Sequence, residues 1–87
     1  MPYIKPEDRE KWKTTIADVV KKLDGLPMEQ VDGELNYLFS SIVKSAYKPR
    51  YFNFNRAIGM LECVRQEFYR KFVAPYEDKK EEENGKI

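Results

Sequence analysis

The sequence predicts an all-α protein, a small three-helix bundle with a charged C-terminal tail. Apolar residues recur at steps of three and four over three long segments, and glycine and proline separate those segments. No segment of useful length alternates apolar and polar residues as a strand does. We expect one helical domain over residues 1–75 and a tail over residues 76–87. By composition that tail is frayed or disordered.

The first helix is expected to begin at Pro6 and to end near Leu23. Proline suits the first helical position, and the acidic residues that follow it suit the positive end of the helix dipole. Asp24-Gly25 supplies a left-handed stop, and Pro27 prevents continuation. One face of this helix is apolar: Trp12, Ile16, Val19, Val20 and Leu23.

The second helix is expected to start after Asp32 as its N-cap and to end near Tyr47. A short connector over residues 28–31 precedes it, with a turn of helix as an open alternative for those residues. Lys48-Pro49 closes the helix, because the residue before proline avoids helical geometry. Its apolar face is broad, which indicates burial on two sides: Leu35, Leu38, Phe39, Ile42, Val43 and Ala46.

The third helix is expected to run from a cap at Asn53 to Ala74, where Pro75 ends it. Its apolar stripe comprises Phe54, Ala57, Ile58, Leu61, Val64, Phe68 and Phe72, a spacing that predicts docking against a partner. Arg65 falls on the same side. A buried charge needs a partner, so we expect Arg65 to pair with Glu62, or with Asp32 or Glu34 of the second helix.

A second stripe of the third helix, the polar stripe, is the best site candidate. It comprises Asn55, Gly59, Glu62, Gln66 and Tyr69. Glycine inside a helix costs about 1 kcal/mol relative to alanine, so Gly59 suggests close approach of something. One interpretation is a ligand or second subunit, with Arg56 and Arg70 adding charge for a small anionic ligand. The other, which is favoured, is that a helix of the same chain crosses there.

Composition narrows the function classes. The 87 residues carry a net charge of +1, which argues against nucleic-acid binding by bulk charge. The single Cys63 excludes an internal disulfide, and the absence of histidine excludes a cysteine–histidine zinc cluster. A core of this size supplies only about 3–5 kcal/mol. We therefore expect a homo-oligomer that needs no cofactor.

The sequence also bears on location. It has no apolar run of the ~20 residues that span a bilayer, and its start lacks the apolar core of a secretion signal. The expected location is the cytoplasm, without membrane contact.

Two other functions stay open. Residues 44–56 interleave Lys44, Lys48, Arg50 and Arg56 with tyrosine and phenylalanine, a pattern that suits nucleotides or single-stranded nucleic acid. The favoured interpretation is that these rings close the end of the bundle. A metal-dependent nucleotide hydrolase is the second alternative, with carboxylates supplied by Glu34, Glu62 and Glu67. Glu62 and Glu67 are five residues apart, however, and residues at that spacing on a helix point in different directions. We assign no catalytic residue and no metal ligand, and an enzyme is not favoured.

The strings DGELNY at 32–37 and NRAIGMLECVRQEFYRKFVAPYEDKKEEENG at 55–85 resemble an uncharacterised family of short proteins from bacteria, archaea and phages. The resemblance implies no known activity. It does imply that the tail is more than frayed. Asn36 and Tyr37 would then meet the polar stripe, and the tail would fold back over it. The resulting pocket would be lined by Glu34, Asn36, Tyr37 and Tyr76, with Glu77 in the lid.

Overall fold

The computed structural model describes residues 3–87, and helices account for most of them. The elements are α1 over Pro6–Leu23, α2 over Met28–Ala46, α3 over Tyr51–Phe68, a π-helical turn over Tyr69–Val73, and α4 over Ala74–Asn84. No strand occurs between residues 3 and 87. The α3 helix, the π-turn and α4 follow one another without a break. The prediction of an all-α protein with three main helices is confirmed.

The described chain divides into two compact units. The first unit, residues 3–50, holds α1 and α2, and the second unit, residues 51–87, holds α3, the π-turn and α4. In the first unit, α1 has the predicted bounds, and Gly25 after it has the left-handed φ of 80° that its stop requires. None of the helices between residues 3 and 87 combines the length and apolar character that crossing a bilayer requires.

The α2 helix begins four residues before the predicted cap. Its first residue is Met28, and Pro27 occupies the N-cap position with an extended ψ of 152°. The amides of Gln30 and Val31 both donate to the Pro27 carbonyl oxygen at 3.0 Å, which closes the first turn. The prediction that Asp32 is the N-cap was therefore wrong, whereas the helical turn that the sequence left open for residues 28–31 is present and is the first turn of α2.

The α3 helix also begins early, at Tyr51, so Asn53 lies inside the helix and does not cap it. At the other end, Pro75 does not stop the chain from being helical. The Ala74 amide donates to the Tyr69 carbonyl oxygen, a wide turn that holds one more residue than an α-turn. This widening accommodates a proline that has no N–H and whose ring would clash with the carbonyl four residues before it.

The tail was predicted to be frayed or disordered by composition, and that prediction was wrong for most of it. Residues 76–84 continue as α4, which ends at Gly85 with φ 92°. The resemblance, which implied an ordered tail, gave the better expectation here. The chemical reason is the π-turn, because it carries the helical hydrogen-bond pattern past Pro75.

Little of the apolar surface is buried. Ala57, with 4% of its surface exposed, is the one buried apolar residue between residues 3 and 87. In the first unit Trp12, Ile16 and Phe39 stay about half exposed. The larger members of the α3 stripe are exposed from 38% at Leu61 to 66% at Ile58. Because the second unit is a single run of helix, it contains no other element against which that stripe packs.

Candidate functional site, a polar face on α3

The polar stripe lies on α3 and the first residue of the π-turn, and all five of its members are exposed. Gly59 sits in the middle of α3. A Cβ built at this position meets no atom of its own unit within 4 Å. Packing inside the second unit therefore does not explain why a glycine, which weakens a helix, stands there.

Glu62 is the centre of the stripe's hydrogen bonding. The Arg65 guanidinium donates to its carboxylate from Nη2 at 2.6 Å and from Nε at 3.1 Å, and the Gln66 amide donates at 3.1 Å. The hydrogen bonds from Arg65 and then Gln66 favour the ionised form and lower the pKa of Glu62 to about 2. The same pairing raises the pKa of Arg65. Glu62 is thus fixed as a carboxylate at any physiological pH.

Arg65 does not occupy the buried position that its place on the apolar side predicted. Its side chain is 69% exposed, and its partner is Glu62, three residues earlier on the same helix. An exposed ion pair of this kind contributes little to the stability of an isolated chain. The predicted pairing with Glu62 is confirmed, whereas its predicted burial was wrong, because α3 has no neighbour within its unit to cover Arg65.

Tyr69 connects α3 to α4. Its hydroxyl donates to the Glu77 carboxylate at 2.5 Å, eight residues along the chain. In an unbroken α-helix, residues eight apart are rotated by about 80°, whereas residues seven apart differ by about 20°. The extra residue held in the π-turn therefore brings Tyr69 and Glu77 onto one face. The hydrogen bond and the negative charge of Glu77 raise the pKa of Tyr69.

A shallow, open depression of about 340 Å³ adjoins the C-terminal half of the polar stripe. Its lining residues are Arg65, Gln66, Glu67, Tyr69 and Arg70. Arg70 Nη2 lies 2.7 Å from the Glu67 carboxylate, so both arginines of this surface are neutralised by glutamates of their own helix. Arg70 was predicted to attract an anionic group. Any anion bound there has to compete with Glu67.

The predicted pocket combined this face with residues of α2. Glu34, Asn36 and Tyr37 lie on α2 in the first unit, so their meeting with the polar stripe stays a prediction. The lid was wrong, because Tyr76 and Glu77 continue the helix and do not fold back. Tyr76 lies beside its own neighbour Lys80, whose Nζ is 5.8 Å from the ring centre. Contact between Glu77 and the polar stripe is real, but it runs along the helix.

Among the described residues, the geometry supplies no organised site for either alternative function, metal-dependent nucleotide hydrolysis or nucleic-acid binding. Glu62 and Glu67 bind separate arginines, and no cluster of three potential metal ligands occurs between residues 3 and 87. In the basic aromatic segment 44–56, Tyr51 and Phe52 are 81% and 71% exposed, as stacking on a base requires. That segment spans the end of α2 and the start of α3, and its role stays a prediction.

Sequence reasoning predicted the pairing of Arg65 with Glu62, but it did not place Arg65 or Glu67 in the candidate surface. Their signal was present, since Glu62 with Arg65 and Glu67 with Arg70 are both acidic and basic residues three apart, a spacing at which helical side chains meet. The contact between Tyr69 and Glu77 had no such signal. It depends on the π-turn, which a periodicity of 3.6 residues does not reveal.

Comparison with known proteins identifies a family of unknown function. No curated protein and no solved structure matches the chain significantly. A family model described as a domain of unknown function (DUF6899) matches residues 1–87, which is the whole sequence. This match agrees with the resemblance drawn from the strings at 32–37 and 55–85. The chain therefore belongs to the DUF6899 family, a domain of unknown function.

Proposed function

We propose that this chain is a small non-enzymatic assembly protein that acts as a homo-oligomer in the cytoplasm of a prokaryotic or phage-infected cell. The observation that carries the proposal is the exposed apolar stripe of α3. Phe54, Ile58, Phe68 and Phe72 each expose more than half of their surface, and they follow one another along one side of a helix. A continuous apolar surface of this kind marks an interaction site.

The small size of the chain supports the same proposal. An 87-residue chain buries too little apolar surface to be very stable alone, and Cys63 has no second cysteine with which to form a staple. Association of copies buries the missing surface at no cost in chain length. Other small proteins that lack disulfides and metals solve the problem in this way.

The polar stripe is the proposed flank of this contact or the place where a small ligand binds. Gly59 gives room for close approach. The side chains of Asn55, Gln66 and Tyr69 supply hydrogen bonds that orient the partner, with Glu62 fixed by its own neighbours. Arg56 and Arg70 supply positive charge for an anionic group on the ligand or partner.

The test introduces a charge into the apolar stripe. We expect Ile58→Glu to dissociate the oligomer, as seen by native mass spectrometry of gently purified protein and by light scattering during size-exclusion chromatography. Cys63→Glu is the matched control, because it places the same charge on the same helix at an exposed position outside the stripe. A monomeric unmodified protein, or equal effects of the two substitutions, would refute the proposal. Extra mass retained by the unmodified protein would identify a ligand.

A further inference from the structure

We propose that the assembly contact is an antiparallel pairing of two copies of the helix 51–84, centred at the level of Cys63, whose own side chain lies on the opposite side of the helix from the contact. This inference rests on the proposed function and specifies its partner as a second copy of this chain. The contact surface, here called the seam, comprises Phe54, Ile58, Leu61, Arg65, Phe68 and Phe72. Their spacing alternates four and three residues, which is the repeat by which two helices interlock their side chains.

The seam offers enough surface for a stable contact. Its five apolar members expose between 38% and 66% of their surface. A fully exposed aromatic side chain offers about 200 Å², so together these five leave roughly 500 Å² to be covered. The stem of Arg65 and the neighbouring Val64 enlarge this area. The total approaches the ~800 Å² that each partner contributes to a standard protein interface.

Arg65 determines the orientation of the two helices. In a parallel pair, residues of the same number face each other, so two Arg65 side chains would be desolvated in one layer. In an antiparallel pair centred near Cys63, Arg65 of one copy faces Leu61 of the second copy. Its guanidinium then lies beside Glu62 of that second copy. Within its own helix, Arg65 already binds the equivalent Glu62 carboxylate at 2.6 Å.

The charge distribution along the helix favours the same orientation. Residues 48–74 carry a charge of +4, and residues 75–87 carry −2, including the run Glu81, Glu82 and Glu83. Parallel pairing sets the two acidic tails side by side, where they repel. Antiparallel pairing places the two acidic tails at opposite ends of the pair, which removes this repulsion. The opposing helix dipoles add to this preference.

The native cysteine gives a direct test. Cys63 is free and exposed, so a spin label attached there reports whether two copies meet at the centre of the helix. A second protein, Cys63→Ser with Lys79→Cys, carries its label in α4. At a rise of 1.5 Å per residue, antiparallel pairing separates the two Lys79 positions by about 50 Å, whereas parallel pairing keeps them within about 20 Å.

Pulsed electron–electron double resonance, which measures the distance between two spin labels, distinguishes the outcomes for both proteins. We expect a short distance of about 20 Å between Cys63 labels and a long one of about 50 Å between the α4 labels. Short distances at both positions would establish a parallel pair, which overturns this inference and leaves the assembly function standing. No distance at either position, with a monomeric mass, would overturn the inference and the proposed function together. A long Cys63 distance in an oligomer would overturn the seam alone.

Discussion

Both units consist of amphipathic helices, but they differ in how their polar side chains are organised. In residues 3–50, the ion pairs Glu10–Lys13 and Asp18–Lys22 are separate local contacts at 2.8 and 3.3 Å. In residues 51–87, one carboxylate receives two donors, and a tyrosine reaches across a π-turn to another carboxylate. Most large apolar side chains of both units stay exposed, although Val19, Leu35 and Leu38 of the first unit are half-buried. The clearer difference between the units lies in the polar chemistry. The polar side chains of the second unit thus form more hydrogen bonds with one another than the stability of an amphipathic helix requires.

The largest expected effect comes from the proline that the π-turn accommodates. Pro75→Ala restores an N–H at residue 75 and removes the ring, so we expect a regular α-helix and a free energy of unfolding raised by about 1–3 kcal/mol. Pro6→Ala is the control in the first unit. It replaces a proline at the start of α1, where no N–H is missing from the hydrogen-bond pattern, and should change stability little.

Urea unfolding followed by circular dichroism measures both changes, at one protein concentration because association contributes to the apparent stability. Equal effects of Pro75→Ala and Pro6→Ala would show that the π-turn carries no strain. The regular helix should also separate Tyr69 from Glu77, since their shared face depends on the extra residue.

A comparison of two glycines sharpens the contrast between the units. Gly33 in α2 and Gly59 in α3 are both helical, and neither would bring a Cβ within 4 Å of its own unit. Leucine is favoured over glycine in a helix by about 0.5–1 kcal/mol. We expect Gly33→Leu to raise the melting temperature, and Gly59→Leu to weaken assembly or ligand retention in spite of the same gain.

Thermal unfolding and native mass spectrometry on the two variants provide the readout. If Gly59→Leu behaves like Gly33→Leu, with assembly, stability and ligand retention intact, then the polar stripe is a solvated face and its assignment as a contact surface must be abandoned.

The next effect is seen in the titration of Tyr69. The pKa of this phenol is raised by the hydrogen bond to Glu77, so its stabilising contribution is present below its unfolded pKa of about 10 and is lost as the pH rises through the folded pKa. Glu77→Gln removes the charge and keeps the size. We expect the Tyr69 ring signal in carbon-13 NMR to titrate at lower pH in this variant, and in Pro75→Ala as well.

Tyr69→Phe assigns the signal, since the sequence contains six tyrosines. An unchanged midpoint in Glu77→Gln would mean that the hydrogen bond across the π-turn is absent in solution.

The smallest effect concerns Glu62. Its pKa is lowered to about 2, so the contribution of its ion pair is present above the unfolded value of about 4.3 and is lost as the pH falls through the folded value. We expect the Glu62 carboxyl carbon to titrate near that low pKa and to move toward its ordinary range in Arg65→Gln. A midpoint near 4 in the unmodified protein would contradict the contact between Arg65 and Glu62.

How far the sequence predicts the structure depends on the distance over which each feature is decided. The bounds of α1 follow from Pro6 and Gly25, and the polar stripe follows from helical spacing, because both depend on a few neighbouring residues. Asp32 and Pro75 misled the prediction, since each carries a local signal that a nearby turn overrides. The exposure of Arg65 was beyond reach, because it depends on what lies next to α3 in space.

The π-turn also has a consequence for how the family can vary. Because the turn holds one residue beyond the α-helical count, the loss of a single residue between Tyr69 and Ala74 would restore a regular helix. That deletion would leave α4 on the same face as now, because Glu77 would follow Tyr69 at seven residues, which differ by about 20° on an α-helix. Straightening the turn without the loss of a residue, as expected for Pro75→Ala, would instead rotate the acidic side chains of α4 by about 100° about the helix axis. Relatives that differ in length by one residue at this place would thus keep the direction of the tail only if they also differ in the type of turn.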